Sequence, residues 1–266
     1  MKLSLKDNAY DFLHNSLHFY HLATGEDYPD DYKRFWRFSL VDLVQSMELL
    51  FKEVLRQENE FFIYENIDKQ GKTVSVTKAL ERMKNIIKID LSKDNETVIK
   101  KAIALRNQIL HFEIELDVQE LSTIYVILFE FLHDFHLNFL NEELHNYIHP
   151  EYWEEEALLI EQFRQEFVLY DGVEISKMFA IEIVESQMFP VYTVKGVEYK
   201  RIKFGDEESI DSRWIDSSSH CGDCAVKKGY FHAIGCDIEY CPKCFGQALG
   251  CECEYEELQE EGLSEI

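Results

Sequence analysis

The sequence contains few of the residues that interrupt helices and strands. Only 4 prolines and 11 glycines occur among 266 residues, which excludes a collagen-like or low-complexity chain and argues against a sandwich with many turns. Basic residues are also scarce, since 27 Lys and Arg stand against 51 Asp and Glu and the formal net charge is −24. Such an excess of negative charge argues against a general nucleic-acid binder, because phosphate groups would be repelled over a long range.

Long apolar runs and early cysteines are missing as well. No stretch of about 18 uninterrupted apolar residues occurs, and residues 1–7 lack the apolar core of a signal peptide, so we expect no membrane span. All seven cysteines lie between Cys221 and Cys253. An odd number packed this closely is a poor disulfide framework but suits a metal site in a reducing compartment. We therefore expect a cytoplasmic protein.

Helical spacing of apolar residues dominates the first 150 residues. With 46% hydrophobic and 14% aromatic residues, the chain can bury a sizeable core. The pattern predicts long helices over residues 7–22, 32–58, 97–111 and 118–147. A shorter helix is expected from Ser75 or Thr77 to about Ile87, and Asp94 or Asn95 is the expected cap of the helix that follows.

The pattern changes after this helical part. Residues 151–170 are acidic with helical spacing, whereas residues 189–194 and 197–204 flank a Lys-Gly pair and predict a β-hairpin. The tail over 252–266 holds seven glutamates and no basic residue, and no internal repeat is visible. The sequence thus predicts a mainly α protein with a helical domain at 1–150, an acidic helix plus hairpin at 151–205, and a cysteine-rich module with an acidic tail at 206–266.

The cysteines are arranged as metal ligands. Two C-x-x-C knuckles, separated by 16 residues, have the spacing of a four-cysteine zinc ribbon. They consist of Cys221, Cys224, Cys241 and Cys244. Two thiolates on one short turn bind one side of a tetrahedral ion, and the second knuckle completes the site. The chain around the ligands is too short to fold without the ion, so the zinc is expected to be structural.

Four further donors lie close to these knuckles. They are His232, Cys236, Cys251 and Cys253. With one zinc ion, these four are ordinary residues; with two ions, all eight donors are used. Two ions are favoured because the remaining residues are themselves soft ligands at close spacing. The order of the pairs suggests an interleaved arrangement, in which both knuckles share one ion, but the sequence leaves the pairing open.

A second candidate site lies at the end of the helix over 97–111, where Arg106, Asn107 and His111 occur. On an ideal helix Asn107 and His111 share a face, whereas Arg106 and His111 lie ~140° apart around the axis. A site using both therefore needs the helix to end near His111, or a second copy of the helix. Histidine can exchange protons near neutral pH, and arginine can hold a phosphate. Alternatively, both cationic side chains complement the helix dipole.

These residues, in their helical context, resemble the HEPN superfamily. The resemblance covers roughly residues 5–148 and is carried by Leu105-Arg106-Asn107, Leu110-His111-Phe112 and the segment 46–52 of the second long helix. It implies a dimeric helical bundle and a metal-independent endoribonuclease that acts as a toxin or in antiviral defence. Arg106 would bind the scissile phosphate of RNA, Asn107 would orient, and His111 would act as acid or base. Glu113 stands where antitoxin-modified members carry tyrosine, which argues against that form of control.

Two other functions fit the sequence. In the first, the helical and zinc-binding parts are non-catalytic interaction surfaces in a larger assembly, with a protein partner or a second copy at the zinc module. In the second, the chain is a nucleic-acid-binding regulator, for which residues 69–106, with ten basic and four acidic side chains, offer the one basic stretch.

Other polar residues are interpreted without a role in catalysis or metal binding. Glu48 and Lys52 are interpreted as an i,i+4 ion pair, and the other histidines as structural or surface residues.

Overall fold

The computed structural model describes residues 3–25, 28–112, 117–164, 167–170, 173–207 and 219–256. The chain forms two compact units, here called the helical unit (residues 1–155 and 162–164) and the second unit (residues 156–161 and 165–266). The described residues are mainly helical, with two small antiparallel hairpins and a cysteine-rich C-terminal segment. This confirms the predicted mainly α class. None of the described helices has the length and apolar character needed to cross a membrane.

The helices follow the predicted pattern closely at their starts. They are α1 Leu5–Thr24, α2 Tyr32–Glu58, α3 Val76–Arg82, α4 Lys93–His111, α5 Val118–Leu140 and α6 Trp153–Glu161. Ser4 and Asp7 form a capping box on α1, and α3 continues as a π-helical turn to Ile87. The cap of α4 is Ser92, whose hydroxyl accepts from the Asn95 amide, rather than the expected Asp94 or Asn95. Ser92 fits this role because its short side chain can accept a hydrogen bond from a free amide of the first helical turn.

The fifth helix is shorter than predicted. It ends at Leu140 instead of Tyr147, because Asn141 adopts a left-handed backbone conformation with φ 54°. Asparagine tolerates this conformation better than most residues and therefore ends helices well. Two short 3-10 turns, Leu144–Tyr147 and Pro150–Tyr152, carry the chain on to α6.

The core of the helical unit contains a buried group of hydroxyls. The predicted apolar face of α1 is buried, and α5 is buried along most of its length. Ser16 of α1 donates to the Ser39 carbonyl of α2 over 2.8 Å, and its hydroxyl lies 2.8 Å from that of Tyr125 on α5. Tyr125 is 0% exposed. One serine therefore joins three helices where water is excluded.

The second unit contains the strands. β1 (Phe167–Tyr170) pairs with β2 (Val173–Ser176), α7 spans Lys177–Gln187, and β3 (Val191–Val194) pairs with β4 (Val197–Lys200). The predicted hairpin is confirmed, and Lys195 and Gly196 both have positive φ, as its tight turn requires. The predicted helix over 151–170 is wrong after Glu161. The apolar and aromatic run from 167 to 170 has high strand propensity and finds a partner strand.

Arg201, directly after β4, makes buried hydrogen bonds to three separate segments of the second unit. Its fully buried guanidinium donates to Glu239 Oε1 over 2.8 Å and to the carbonyls of Ser186 and His232 over 3.0 and 2.6 Å. The other Glu239 oxygen accepts from the Tyr192 hydroxyl over 2.7 Å. A buried ion pair with all its hydrogen bonds made is costly to disrupt from one side, since the remaining charge would be left unpaired.

We expect Ser16→Ala to destabilise the helical unit more than Tyr125→Phe. Tyr125→Phe leaves Ser16 bonded to Ser39 and should lower the free energy of unfolding by about 1 kcal/mol. Ser16→Ala leaves the fully buried Tyr125 hydroxyl without its partner, a loss of about 1–3 kcal/mol. Urea denaturation of the two variants measures the difference, and a larger loss in Tyr125→Phe would contradict this account.

Candidate metal sites and candidate active site

The eight predicted donors form two separate groups in the second unit. The first contains Cys221, Cys224, His232 and Cys236, and the second contains Cys241, Cys244, Cys251 and Cys253. Within each group the ligand atoms lie within 4.8 Å of one another, so that each group could hold a metal ion. The grouping follows the order of the chain and replaces the interleaved arrangement suggested by the sequence.

The grouping has a local backbone cause. After His232 the chain turns back on itself, where the Cys236 amide donates to the Ala233 carbonyl over 3.0 Å and Gly235 has φ 86°. This turn returns Cys236 to the first knuckle, and its sulphur lies 3.7 Å from that of Cys221. Closing such a short loop costs less chain entropy than joining knuckles that lie further apart in sequence.

The two knuckles share one backbone structure. Residues 219–228 and 239–248 form the same pattern of hydrogen bonds, in which the first cysteine accepts from the amide four residues later (3.0 and 2.9 Å) and donates to the carbonyl five residues later (2.8 and 2.7 Å). The residue after the second cysteine, Ala225 or Phe245, is left-handed in both, with φ 61° and 59°. The two segments share only their cysteines in sequence, so the likeness lies in the backbone and not in a sequence repeat.

The first group is fully buried, and its histidine is oriented by a carboxylate. His232 Nδ1 lies 3.2 Å from Cys236 Sγ and 3.5 Å from Cys224 Sγ, so this nitrogen faces the metal position. The opposite nitrogen, Nε2, lies 2.8 Å from Glu207 Oε1. Such an outer carboxylate fixes the tautomer and ring orientation of a ligating histidine. No local sequence pattern indicates Glu207, because it lies 25 residues before His232 in the chain.

The second group is more open. Cys241 is buried, but Cys251 and Cys253 are half-buried and Cys244 is exposed. The Tyr255 hydroxyl lies 3.5 Å from Cys251 Sγ, and the Tyr255 backbone pairs with Val194 of β3. The second group is therefore linked to the β3–β4 hairpin through one tyrosine.

Cysteine binds metals as the thiolate, and in each group the surroundings favour this form at one cysteine and oppose it at another. Hydrogen bonds with Cys224 and Cys236 lower the pKa of the Cys221 thiol. Burial by itself raises the pKa of Cys241, but hydrogen bonds from the Tyr255 hydroxyl and the knuckle backbone lower it to about 7. Within the same groups, hydrogen bonds with Cys221 and Cys224 raise the pKa of Cys236, and burial raises the pKa of Cys253 to about 12. Full ionisation of either group therefore requires a cation.

The Arg106 side chain is held by a carboxylate of α2. Its Nη2 donates to Glu48 Oε2 over 2.9 Å, and its Nη1 donates to Asn107 Oδ1 over 3.2 Å. The other Glu48 oxygen accepts from Lys52 Nζ over 2.6 Å, which confirms the predicted i,i+4 pair. The three charged side chains are only 7–15% exposed. Water and salt therefore screen this cluster weakly.

His111 is the last residue of α4. The next amide, that of Phe112, donates to the Gln108 carbonyl over 2.9 Å and closes the helix. Asn107 and His111 are both exposed, and no described residue makes a hydrogen bond to the His111 ring. Glu113 lies outside the described residues. The helix thus ends where a combined Arg106 and His111 site requires it to end.

The other histidines form no further metal group among the residues that the structure describes. His14 Nε2 lies 2.8 Å from the Tyr147 carbonyl, and His21 Nδ1 lies 2.6 Å from Glu155 Oε1. These contacts join α1 to the segment that follows α5. They support the structural interpretation of these residues.

Comparison with known proteins adds no relative. No family model matches the chain, and neither a curated protein nor a solved structure matches it. The resemblance to HEPN domains accordingly stays a prediction.

We expect the two groups to release metal at different rates. In protein loaded with two zinc ions per chain, a chromogenic chelator should remove one ion about tenfold or more faster, because only the second group has an exposed ligand. Cys244→Ser should abolish the fast phase alone. Glu207→Gln should accelerate the slow phase alone, by about 10–100-fold, since it removes the carboxylate behind His232. Acceleration of the fast phase by Glu207→Gln would contradict the grouping.

Proposed function

We propose that the chain is a metal-independent endoribonuclease of the HEPN type, acting as a toxin or antiviral effector, with a C-terminal module folded by two structural zinc ions. The observation that carries the proposal is the end of α4. There a positioned arginine, an exposed asparagine and an exposed histidine occur together within one helical turn and a half.

The charge of the Arg106 cluster supports phosphate binding. Glu48 is shared between Lys52 and Arg106, so two cations face one carboxylate and the cluster carries a net charge of +1. The shared carboxylate also restricts the Arg106 rotamer, which lowers the entropy lost when a ligand binds. A phosphate can therefore be attracted by a fixed guanidinium although the whole chain is acidic.

A homodimer is proposed because one copy is insufficient. Arg106 and His111 lie ~140° apart on α4 and cannot easily face one phosphate group. Leu110 and Phe112, on either side of His111, are 52% and 72% exposed. Large apolar side chains at such exposure favour coverage by another surface. A second α4 packed across a two-fold axis would cover them and bring both functional groups to one RNA strand.

The chemistry requires no metal. His111 would take the proton from the ribose 2′-hydroxyl, whose oxygen attacks the phosphorus. Arg106 would stabilise the charge that develops on the phosphate oxygens, and Asn107 would orient the reacting groups. The bond to the 5′-oxygen then breaks, and this oxygen takes a proton from a histidine acting as acid. The products are a 2′,3′-cyclic phosphate and a 5′-hydroxyl.

The zinc assignment rests on the donor sets. Three thiolates with one imidazole, and four thiolates, are the ligand sets of structural zinc sites. Each set supplies four protein ligands and leaves no coordination position for water, so neither ion would take part in RNA cleavage.

A non-catalytic interaction module is the second candidate, and one observation favours it. Arg106 already has a carboxylate partner, and its side chain is only 15% exposed. In this case the Glu48–Arg106 pair joins α2 to α4, and RNA is not a substrate.

We expect His111→Ala to abolish RNA cleavage. Removal of the proton-transfer group should lower the rate by about a hundredfold to ten-thousandfold. The matched control is His18→Ala, which removes an exposed histidine of α1 and should leave cleavage unchanged. Cleavage of a fluorescent RNA, measured with and without a chelator in the assay, reports both activity and metal independence.

Two further readouts separate loss of function from loss of structure. Zinc content, helical content and oligomeric state should be the same in His111→Ala and the unmodified protein, and growth arrest on overexpression should disappear with the activity. A fully active His111→Ala variant would overturn the ribonuclease assignment and favour the interaction module.

A further inference from the structure

The second unit contains an open cavity beside the first metal group. Its volume is about 260 Å³. Its lining includes Tyr192, Ile234, Glu239, Leu249, Tyr255 and Glu256. Neither the helical unit nor the proposed RNA cleavage involves this cavity.

The polar groups in the wall are already bonded to the protein. The Tyr192 hydroxyl and the Arg201 guanidinium both donate to Glu239, and Glu256 Oε1 accepts from the Gly196 amide over 2.7 Å. The described lining contains no lysine or arginine. A polar or anionic ligand would thus lose its hydration without gaining partners, which costs free energy. The interior selects for an apolar group.

The size of the cavity favours side chains over a whole small molecule. Pockets for small molecules begin at about 300 Å³, somewhat above this volume. Two apolar residues of the lining, Ile234 and Leu249, are also 44% and 63% exposed. An apolar cavity with exposed apolar residues at its mouth is the typical receptor for anchor side chains of a docked peptide.

The charge around the cavity defines the rest of the ligand. Residues 219–256 carry six acidic side chains and three lysines. Glu256 lines the cavity, and Glu252 and Glu254 lie just before it in the sequence. All three side chains are exposed. The exposed Lys195 lies 3.9 Å from Glu254 and offsets one of these charges. Electrostatic complementarity therefore favours a basic ligand. The chain's own residues 257–266 hold four glutamates and no basic residue, so their charge argues against them as the occupant.

We propose that this cavity binds a segment of a partner protein in which one or two bulky apolar residues are flanked by lysine or arginine. The apolar side chains fill the cavity between Ile234 and Leu249. The flanking cations lie over the carboxylates that follow Cys251. Nucleic acid is excluded as the ligand by the same charges.

The test uses the intact zinc-loaded protein and a displayed library of random twelve-residue peptides. The selected peptides should share Leu, Ile, Met or Phe next to Lys or Arg. Leu249→Ser should weaken a selected peptide about tenfold, the loss typical of an interface anchor. The matched control is Val197→Ser, which removes an apolar residue that is 51% exposed on β4 and outside the cavity lining; its affinity should be unchanged.

Two more variants complete the design. If Leu249→Ser loses zinc, Ile234→Ser replaces it, with the same expected loss. Glu256→Gln keeps an oxygen that can accept from Gly196 and removes only the charge, so it should weaken the basic peptide several-fold at low salt.

Three results would overturn the proposal. They are a library that yields no enriched peptide or only acidic ones, equal affinity of Leu249→Ser and Val197→Ser, and binding that appears only after residues 257–266 are removed. The last result would assign the cavity to the chain's own tail. None of these results bears on His111 or on RNA cleavage.

Discussion

Thiolate groups that lie within a few ångströms of one another repel unless a cation lies between them. In residues 219–256 two groups of four donors meet this condition, each with its ligand atoms within 4.8 Å. The same residues contain no helix and only isolated β-bridges, and the apolar residues that they bury, apart from cysteines, are just Val226, Phe231, Ala233 and Ala248. A core this small cannot offset the chain entropy lost on folding. We therefore infer that metal coordination is the constraint on which this part of the structure depends.

The rest of the second unit is attached to the metal groups by a few buried contacts. Arg201 donates to the carbonyl of His232, a member of the first group, and Tyr255 links the second group to β3. Each contact fixes the hairpin to a group that a bound metal would hold rigid. The cavity between Tyr192 and Leu249 is formed by these same elements, so its shape would also depend on bound metals.

The helical unit shows how local charge can differ from the charge of the whole chain. The net charge of −24 argues against general binding of nucleic acid. The cluster of Glu48, Lys52 and Arg106 nevertheless carries one excess positive charge where solvent screening is weak. A single phosphate responds to the nearest charges more than to distant ones, so the two statements are compatible.

The sequence predicted the elements better than their partners. Apolar spacing predicted α1, α2 and α4 because a helix repeats every 3.6 residues. The Lys195-Gly196 pair predicted the turn of the hairpin. Strand β1 was missed because its role depends on pairing with β2, which no local pattern reveals.

For the candidate sites, too, the residues were predicted better than their tertiary contacts. All eight metal donors were identified by spacing, but their grouping depends on the backbone turn at Gly235. The Glu48–Lys52 pair follows from helix geometry. The contact of the same carboxylate with Arg106, 58 residues away, depends on the packing of two helices. Glu207 behind His232 is likewise a tertiary contact without a sequence signal.

The grouping of the metal ligands is the central claim, and cadmium NMR tests it most directly. In protein whose metals are replaced by cadmium, each cadmium nucleus couples to the protons of its own ligands. We predict that the cadmium coupled to the His232 ring also couples to the β-protons of Cys221, Cys224 and Cys236, as the distances among these residues require. Coupling of that cadmium to Cys251 and Cys253 instead would contradict the account.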